Sequence, residues 1–341
     1  MSRQYASAGV DLAAADAAKA RIGALVAGTR TTLSTGKVGA FGGMVRVPAG
    51  MAKPTLVLST DGVGTKVLVA LQAGRFDGVG EDLVNHSVND ILVHGATPIA
   101  FMDYIAGSAL EIEQIAGIVE GIARGCRAHG MALAGGETAQ MPGLYQPGTF
   151  DLAGTIIGVV EEDRALHGEA IVPGDVLLGY ASTGLHTNGY TLARHIVFDR
   201  MRLELDDVLG ETGRTVADGL LAIHRSYFRS VMPVLDRMHG LAHITGGGIP
   251  GNLLRILPAG CEAVVDPDAW PLPPLFATLQ QAGSVSPEEM RDVFNLGVGL
   301  IAVLPSEAAS AAQAAARADG VDTWPIGKIR RGTTAVRFTR P

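Results

Sequence analysis

Cysteine is scarce in this sequence, which has only Cys126 and Cys261 among 341 residues and no Cys-x-x-Cys pair. A disulfide-stabilised scaffold or a thiolate zinc site needs more cysteines than this. We therefore expect a reducing compartment. Cys126 falls within a helical pattern and is predicted to be a small core residue.

Basic clusters and long apolar runs are also missing. The densest basic group is Lys328-Ile329-Arg330-Arg331, and the formal net charge is −7, so the sequence contains nothing typical of a nucleic-acid-binding surface. Its apolar runs are too short to span a membrane, and the first residues lack the apolar core of a signal peptide. We expect no nucleic-acid partner, no membrane association and a cytoplasmic location.

Glycine, by contrast, is abundant, with 45 residues scattered without a period. This distribution predicts many tight turns and loops that approach ligands closely. The length suggests about two domains, and a proline–glycine segment at residues 172–175 predicts domains 1–170 and 171–341. Strand and helix patterns alternate along the chain, so the predicted fold class is α/β or α+β.

The stretch Ser59–Lys66 follows a predicted buried strand and combines a carboxylate, two glycines and a Thr-Lys pair. Asp61 suits a hard cation, and Lys66 suits phosphate oxygens. The order of residues fits neither the Walker loop nor the dinucleotide fingerprint. Taken alone, the stretch is equally compatible with a metal–nucleotide site and with a tight turn capped by its aspartate.

An amphipathic pattern predicts a helix from Glu81 to Gly95. Its polar face carries Asp82, His86 and Asn89, with Asp90 beside them. A polar helix face is usually solvated, so we expect His86 at the surface. Asp90 is nevertheless a candidate second carboxylate for the metal near Asp61.

A further strand is predicted at residues 131–134, followed by a glycine turn at Gly135-Gly136-Glu137-Thr138. Asp61, Asp90 and Glu137 then come from separate elements. Oxygen ligands gathered in this way suit Mg²⁺ bound to nucleotide phosphates. The glycine-rich segment 34–43 is compatible with a loop around an anion but, taken alone, is more typical of a surface loop.

Two helical predictions concern packing. Gly117, Gly121 and Gly125 form a stripe of small residues, which predicts close packing of their helix against a sheet. A long helix is predicted from about Asp218 to Met238.

The second half again associates strands with glycine-rich loops. His186 lies in the loop Ser182–Tyr190 and, taken alone, is as compatible with chemistry as with loop capping. His243 lies on a predicted strand, where a buried and satisfied histidine is more usual. Gly246–Gly248 precede a helix predicted at Asn252–Ile256 and form another anion-binding candidate.

Taken together and in this order, these segments resemble the phosphoribosylformylglycinamidine cyclo-ligase (AIR synthetase) family of purine biosynthesis over nearly the whole chain. The most specific part is Gly-Gly-Glu-Thr-Ala-x-Met-Pro-Gly at residues 135–143, combined with the His186 and His243 loops. Gly-Gly-Glu-Thr alone is shared with a wider ATP-binding superfamily. The other matching segments are Tyr5–Asp11, Gly36–Gly43, Thr60–Lys66, Asp82 with Val88–Asp90, Gly184–Tyr190, His243–Gly248 and Phe294–Gly299.

The resemblance implies an N-terminal sheet-and-helix domain for ATP binding and dimerisation, a C-terminal α+β domain, and an ATP site in the cleft between them. It also implies a homodimer whose N-terminal sheets meet in a barrel-like interface. The implied reaction turns formylglycinamidine ribonucleotide and ATP into 5-aminoimidazole ribonucleotide, ADP and phosphate through a phosphorylated formyl oxygen. The implied cofactors are ATP and Mg²⁺, with a monovalent cation left open.

Roles for individual residues follow from the same resemblance. His186, His243 and Asp90 are expected to be catalytic, and Asp61, Asp90 and Glu137 to hold Mg²⁺. The expected substrate-binding positions are Asn188, Gly246, Gly247 and Gly248. The expected ATP-binding positions are Gly42, Asp61, Gly62, Gly64, Thr65, Lys66, Asp82, Asn89, Gly135, Gly136 and Thr138.

Three positions depart from the family pattern, and one of them is His86, where apolar residues are usual. Gly23 stands where the family commonly has a lysine, for which Lys37 or Lys19 is a candidate substitute, and Lys37 replaces a glycine. The alternatives are another ATP-using member of the superfamily, of the thiamine-phosphate kinase or selenophosphate synthetase type, and a non-catalytic Mg-nucleotide-binding protein. It also stays open whether Lys66 contacts phosphate or pairs with an acid.

Overall fold

The computed structural model describes residues 21–37 and 39–339. The predictions made for residues 5–11 and for Lys19 lie outside these ranges. The described residues form two compact units. The first continues to Ile91 and resumes over Ala96–Asp163, while the second takes Leu92–Gly95 and the residues from Arg164 onwards. The domain limits at 170/171 stay a prediction.

The first unit is built on a four-stranded sheet in the order β1-β4-β2-β3. β2 and β3 are parallel, and the other neighbours are antiparallel. The strands are β1 (Pro54–Gly62), β2 (Thr97–Gly107), β3 (Ala132–Gln140) and β4 (Phe150–Glu161). The helices are α1 (Lys66–Ala73), α2 (Asp77–Leu92) and α3 (Ile112–Ala128).

Helix α2 covers one face of this sheet, and glycines in β4 permit the close approach. A Cβ added at Gly154 would lie 2.9 Å from Cδ2 of Leu83, and one added at Gly158 would lie 2.5 Å from Cδ1 of Ile91. Both distances are shorter than ordinary van der Waals contact, so larger residues would push the helix off the sheet. The predicted apolar face of α2 is confirmed, because Val84, Val88 and Ile91 are fully buried, but its polar face is buried as well. The helix spans Asp77–Leu92 and not the predicted Glu81 to Gly95.

The glycine stripe of α3 packs against α2, and the prediction that it meets a sheet is wrong. A Cβ at Gly121 would overlap the Asp77 carbonyl oxygen, and a Cβ at Gly125 would lie 2.8 Å from Val84 Cβ. The facing Gly80 of α2 would likewise overlap the backbone of α3. The two helix backbones therefore approach more closely than residues with side chains would allow.

Gly135 and Gly136 belong to strand β3 and do not form the turn that the sequence predicts. The ladder with β2 continues through them to Gln140. A Cβ added at Gly136 would overlap the Asp103 carboxylate of β2. Glycine is needed here because a side chain would displace the neighbouring carboxylate. In the sequence, such a glycine pair looks the same as the glycine pair of a tight turn.

The second unit is built on a six-stranded sheet in the order β10-β7-β9-β5-β8-β6, in which only β10 and β7 are parallel neighbours. The strands are β5 (Val176–Ala181), β6 (Gly240–His243), β7 (Cys261–Val265), β8 (Val298–Leu304), β9 (Thr323–Arg331) and β10 (Ala335–Phe338). The helices are α4 (Tyr190–Arg194), α5 (Val216–Leu220), α6 (Phe228–Val231), α7 (Gly248–Leu254), α8 (Pro274–Gly283), α9 (Pro287–Val293) and α10 (Ala309–Ala318). A π-helical turn spans His195–Arg200, and a 3₁₀ turn spans Met232–Arg237.

Hydrophobic cores lie on both faces of this second sheet. All seven residues of β8 are buried. Leu300 and Leu304 belong to one core and Ile301 and Val303 to the other. This alternation is the side-chain period of a strand that is covered on both sides, and it explains why β8 is a continuous apolar run. Cys261, in the same unit, is buried and free, as Cys126 is in the first unit.

The long helix predicted from about Asp218 to Met238 is wrong. The chain forms α5, then an irregular segment at residues 222–227, then α6 and the 3₁₀ turn. Pro233 lacks a backbone N–H and interrupts a helix at its position. The irregular segment places His224 and Tyr227 in fully buried positions. Among the described residues, no helix combines the length and apolarity needed to cross a bilayer.

Candidate functional site

Two carboxylates of the first unit converge on one histidine. Asp61 stands at the end of β1, and Asp90 lies near the end of α2, one turn after His86. The Nε2 atom of His86 lies 2.8 Å from Oδ2 of Asp61 and 3.6 Å from Oδ2 of Asp90. The hydroxyl of Ser59 donates to Asp90 over 2.9 Å. The Asp61 side chain is 47% exposed, whereas His86 is buried, so the carboxylate cluster has access to solvent through Asp61.

The charges in this cluster support one another. Burial raises the pKa of Asp61, but the hydrogen bond and charge of His86, with the backbone N–H of Gly62, outweigh burial and lower it below its usual value. Burial lowers the pKa of His86, but the hydrogen bond to Asp61 and the charges of Asp90, Asp61 and Asp82 raise it overall. The expectation that His86 lies at the surface is wrong, because α2 turns its polar face towards β1.

Lys66 forms a buried ion pair and does not face solvent. Its Nζ atom lies 2.7 Å from Oδ2 of Asp82, and both side chains are fully buried. Burial lowers the pKa of Lys66, and the charge of Asp82 opposes that shift. Of the two possibilities that the sequence left open, the structure shows the acid pair. The side chains of Lys66, Asp82 and Asn89 are fully buried, and their assignment to ATP binding stays a prediction.

The turn between β1 and α1 holds the remaining predicted positions of this stretch. Gly64 adopts φ +56°, in the left-handed region that favours glycine. Thr65 precedes the first residue of α1, and the N–H of Gly62 donates to the Asp61 carboxylate over 2.7 Å. The sharp turn predicted from the glycines is therefore present, immediately before the buried Lys66 in the chain.

Glu137 lies far from Asp61 within one chain. The register places Asp61, Gly154, Asp103 and Gly136 in one row across the four strands. Three strand spacings put the two ends of this row about 14 Å apart. Glu137 is the next residue and projects from the opposite face of the sheet. Ligands of one Mg²⁺ lie about 2 Å from the ion, so Glu137 and Asp61 of one chain do not share a metal.

Glu137 instead lines a cavity with the glycine-rich loop. The cavity of about 830 Å³ is bounded by the segment 39–45 and by the strands β2 and β3, and its lining includes Gly42, Gly135, Gly136 and Thr138. Among the described residues that line it, Asp61 and Asp90 do not occur. The structure thus places the predicted glycine-rich positions around one cavity and the two aspartates, Asp61 and Asp90, in a separate cluster.

Asp103 is a lining residue of that cavity which the sequence did not single out. Burial raises its pKa to about 7. Its carboxylate lies over Gly136, where a side chain on the neighbouring strand would displace it. The pattern offered no signal for Asp103, because an aspartate within an apolar strand is compatible with an exposed strand position.

In the second unit, His186 occupies a loop with an unusual backbone. His186 has φ +60°, which is uncommon for a residue other than glycine and is retained where the surroundings hold it. Asn295 fixes the loop: its Nδ2 donates to the Gly184 carbonyl over 2.8 Å, and its Oδ1 accepts from the Ser182 hydroxyl over 3.0 Å. His186 is fully buried, so the loop places its side chain inside the second unit and not at the surface.

His243 ends β6 and leads into the triple-glycine loop. Gly247 and Gly248 have φ +89° and +57°. The side chain of Asn252 donates to the carbonyls of Gly246 and Gly248 over 3.2 and 2.8 Å. The helix that the sequence predicts from Asn252 begins at Gly248, because the glycine loop itself supplies its first turn.

Asn188 connects the two loops of the second unit. A Cβ added at Gly246 would lie 3.6 Å from Oδ1 of Asn188. Its Nδ2 atom is buried and has no hydrogen-bond partner among the described residues. A buried donor without an acceptor is costly, and a phosphate or carbonyl oxygen of a ligand would satisfy it. The structure therefore brings the predicted substrate-binding positions Asn188 and Gly246–Gly248 together.

His224 completes a cluster that sequence analysis missed. Its Nε2 atom lies 3.1 Å from Nε2 of His243, and its Nδ1 lies 3.3 Å from Oγ1 of Thr187. Its ring stacks on His186, with centroids 4.0 Å apart. The long predicted helix concealed this residue, since the buried role of His224 depends on the irregular segment that replaces that helix.

Known proteins are similar in sequence to this chain over nearly its whole length. The chain matches the AIR synthase related protein family, in its N-terminal domain over residues 39–160 and in its C-terminal domain over residues 172–338. A phosphoribosylformylglycinamidine cyclo-ligase of Thermosynechococcus vestitus is 46% identical over 335 residues, covering 97% of this chain and 98% of that protein. One of Myxococcus xanthus is 46% identical over 335 residues, covering 97% of each.

Solved structures show the same fold at lower identity. The thiamine-monophosphate kinase of Stenotrophomonas maltophilia superposes with a TM-score of 0.70 at 19% identity, covering 97% of this chain and 96% of that one. The hydrogenase maturation protein HypE, solved in complex with ATP, superposes with a TM-score of 0.65 at 20% identity, covering 92% and 88%. The matched domains and these neighbours confirm the predicted fold class.

Proposed function

Because this chain belongs to the AIR synthase related family, we propose that it is an ATP-dependent cyclo-ligase. The proposed reaction converts formylglycinamidine ribonucleotide to 5-aminoimidazole ribonucleotide and releases ADP and phosphate, in the cytoplasm. The observation that carries the proposal is the 46% identity to cyclo-ligases over 97% of the chain. Both units take part in that similarity.

We assign ATP and metal binding to the first unit. Asp61 and Asp90 fit Mg²⁺, since two carboxylate oxygens converge where Asp61 reaches solvent. When bound there, Mg²⁺ would neutralise charge on the nucleotide phosphates. The turn at Gly62–Thr65 and the cavity beside Gly42 are the proposed places for the nucleotide itself, and a monovalent cation is an open part of the proposal. Lys66 and Asp82 support the turn from beneath as a buried pair.

We assign the acid–base chemistry to the histidines of the second unit. In the proposed sequence the formyl oxygen is phosphorylated, an amidine nitrogen attacks that carbon, and phosphate leaves as the ring closes. His186 and His243 are placed to stabilise the phosphorylated species or to take the proton lost on cyclisation. Asn188 has a donor for a substrate oxygen, and the Gly246–Gly248 loop suits the ribose phosphate.

The decisive test is phosphate release from ATP with and without formylglycinamidine ribonucleotide. We expect release to depend on that substrate and to match, mole for mole, the appearance of an aromatic amine in a diazotisation assay. Substrate-independent release, or none at all, would overturn the proposal. Transfer of phosphate to thiamine monophosphate instead would assign the chain to the kinase branch of the superfamily, and nucleotide binding without turnover would support a non-catalytic binding protein.

Asp61 provides a separate test of the metal site. Replacing it with alanine removes a charge-assisted ligand worth about 1.5–3 kcal/mol, so Mg-ATP affinity should fall about 10- to 100-fold in calorimetric titration. Glu120→Ala, at an exposed carboxylate of α3, is the matched control and should bind normally. An unchanged affinity in Asp61→Ala would remove Asp61 from the metal site.

The uncovered face of the first sheet supports a homodimer. Leu58 of β1 is 63% exposed, and Leu56, Met102 and Tyr104 are also exposed. Residues two apart on a strand share a face, and the register places Leu56 and Leu58 opposite β4 residues that lie beside β2. An apolar patch of this kind on a sheet is typical of an interaction surface. We therefore place a second copy of this chain against it.

Sedimentation analysis tests the dimer. The protein should sediment at twice its chain mass, and Leu58→Glu should shift it to the monomer because a charge would be buried in the interface. Glu120→Gln, at an exposed position of α3, a helix that packs on α2 and not on this face of the sheet, serves as a charge-changing control. A monomer in the unmodified protein would contradict this part of the proposal without affecting the assigned reaction.

A further inference from the structure

The irregular segment 222–227 is held in place at both of the histidine loops. Arg225 and Tyr227 each donate to the carbonyl of Ala181 over 3.0 Å. Ala181 is the last residue of β5, directly before the loop that carries His186. The chain thus gives up helical hydrogen bonds over six residues and uses side-chain bonds to hold His224 in a fully buried position. Such an exchange is expected where the buried residue has a specific partner.

His224 contacts a residue of each loop through its two ring nitrogens. On one side Nδ1 faces the Thr187 hydroxyl, and on the other Nε2 faces Nε2 of His243. A hydrogen bond between two imidazole nitrogens needs a proton on one of them and a lone pair on the other. The proton arrangement of His243 is therefore coupled to that of His224, and through it to Thr187.

Two neutral arrangements satisfy all three groups. In one, the Thr187 hydroxyl donates to His224 Nδ1 and His224 Nε2–H donates to His243. In the other, His243 Nε2–H donates to His224 and His224 Nδ1–H donates to the hydroxyl oxygen. The two arrangements give His243 opposite tautomers, but within each one His243 has a single tautomer that matches the proton position on His224. A histidine accepts a proton only at the nitrogen that lacks one, so the proton position on His224 determines which atom of His243 acts as a base.

A metal site fits the same three histidines less well. Their nitrogens lie within 4.8 Å of one another, but the rings of His186 and His224 stack with an interplanar angle of 21°. Imidazole lone pairs lie in the plane of the ring, and the two stacked rings occupy nearly parallel planes with centroids 4.0 Å apart, so one tetrahedral zinc ion does not lie in both planes. Hydrogen bonding and stacking account for the cluster without a metal.

We propose that His224 is a positioning residue that fixes the tautomer of His243 and thereby makes it competent for acid–base chemistry. The kinetic part of this inference rests on the proposed function. The tautomer itself does not, because it belongs to the resting protein. His224 contacts no reacting atom in this account, and it acts through the ring that it orients.

Histidine-selective ¹⁵N NMR of the full chain tests the coupling directly. We expect His224 and His243 each to show one tautomer, with a proton on Nε2 of one ring and a lone pair on Nε2 of the other. In His224→Phe, which keeps a flat ring beside His186 but has no nitrogen, the His243 signals should move to the mixture of tautomers found in free imidazole. An unchanged His243 tautomer in a folded His224→Phe would overturn the inference.

Kinetics provide the second readout. His224→Phe should lower kcat about 10- to 100-fold, less than the roughly 10²- to 10⁴-fold contribution of a general acid or base itself, because His224 acts through His243; the KM for ATP should be unchanged. His224→Gln offers an amide near the position of Nε2 and should restore both the single tautomer and part of the kcat. Ile223→Val, at an exposed position of the same segment, should match the unmodified enzyme.

The two readouts separate the possible failures. A coupled tautomer in a protein without cyclo-ligase activity would refute the proposed function and leave this inference standing. Normal kcat in His224→Phe, despite a changed tautomer, would refute the positioning role. If His224→Phe does not fold, His224→Leu carries the test, and an unchanged single tautomer of His243 in that variant would overturn the inference.

Discussion

Lys66 and Asp82 allow the sharpest test of how the first unit is built. Their charged atoms lie 2.7 Å apart, and both side chains are fully buried. Removing one member of such a pair leaves an uncompensated charge, which typically costs about 3–5 kcal/mol. We therefore expect Lys66→Met to lower the free energy of unfolding by about that amount and Asp82→Leu to lower it by somewhat less.

The double variant distinguishes a pair from two independent contributions. Lys66→Met combined with Asp82→Leu replaces both charges by apolar side chains of similar volume, a change that is often neutral or stabilising in other proteins. The double variant should accordingly recover most of the loss seen in Lys66→Met. Urea unfolding followed by far-UV circular dichroism measures these differences.

The tryptophans supply an internal control for that experiment. Trp270 and Trp324, the two tryptophans of the chain, both lie in the second unit. Their fluorescence should report unfolding of that unit. A fluorescence midpoint that stays in place while the dichroism midpoint falls would show that the loss is confined to the first unit.

One outcome would refute the assignment of Lys66 as a structural residue. If Lys66→Met unfolds like the unmodified protein and instead loses ATP affinity, the lysine contacts phosphate, and its buried pairing is not the state that binds nucleotide. If the double variant loses the sum of the two single effects, Lys66 and Asp82 are not coupled. Either result would return the turn at residues 61–66 to the phosphate-binding interpretation.

Two further predictions follow from close packing and from burial of charge. Gly121→Ala should destabilise the protein by about 1–3 kcal/mol, because its Cβ would overlap the Asp77 carbonyl oxygen. Gly78→Ala has open space around it and should be neutral or slightly stabilising. Equal shifts in melting temperature for the two variants would contradict this prediction. Asp103 has its pKa raised from 3.8 to about 7, so between about pH 4 and 7 the folded state keeps a proton that the unfolded state has lost, and stability falls as pH rises through that window. Asp103→Asn should remove this cost, with a gain of at most about 4 kcal/mol at pH 8 and little gain near pH 4 in urea unfolding, and an equal gain at both pH values would show that Asp103 is not protonated in the fold.

Local patterns predicted the regular elements well where one face is apolar. The apolar face of α2 is confirmed because the helical period is a property of the chain itself. The long helix across Pro233 was wrong, since proline interrupts a helix at its position and tertiary contacts, such as the bonds of Arg225 and Tyr227 to Ala181, hold residues 222–227 in an irregular conformation. The turn predicted at Gly135-Gly136 was wrong for a related reason, because Gly136 makes room for the carboxylate of Asp103 on the neighbouring strand.

The chemistry-bearing residues divide in the same way. The sequence alone shows which residues are suited to metal binding or acid–base chemistry, namely Asp61, Asp90, His186 and His243. The order of their motifs was enough to indicate the family. Glu137 belonged to the same pattern, yet the strand order β1-β4-β2-β3 separates it from Asp61 within one chain. Strand order depends on contacts between residues that are distant in the chain, and no local period records it.

The turn Asp61–Lys66 shows where the two kinds of information meet. The sequence by itself determined that a carboxylate, a left-handed glycine and a lysine follow a strand, because strand propensity and glycine freedom are local properties. Only the tertiary structure decided that the lysine pairs with Asp82 of α2 and that Asp61 faces His86. The physical reason is that a charge is either solvated or paired when buried, and which of these occurs depends on the element that packs over it.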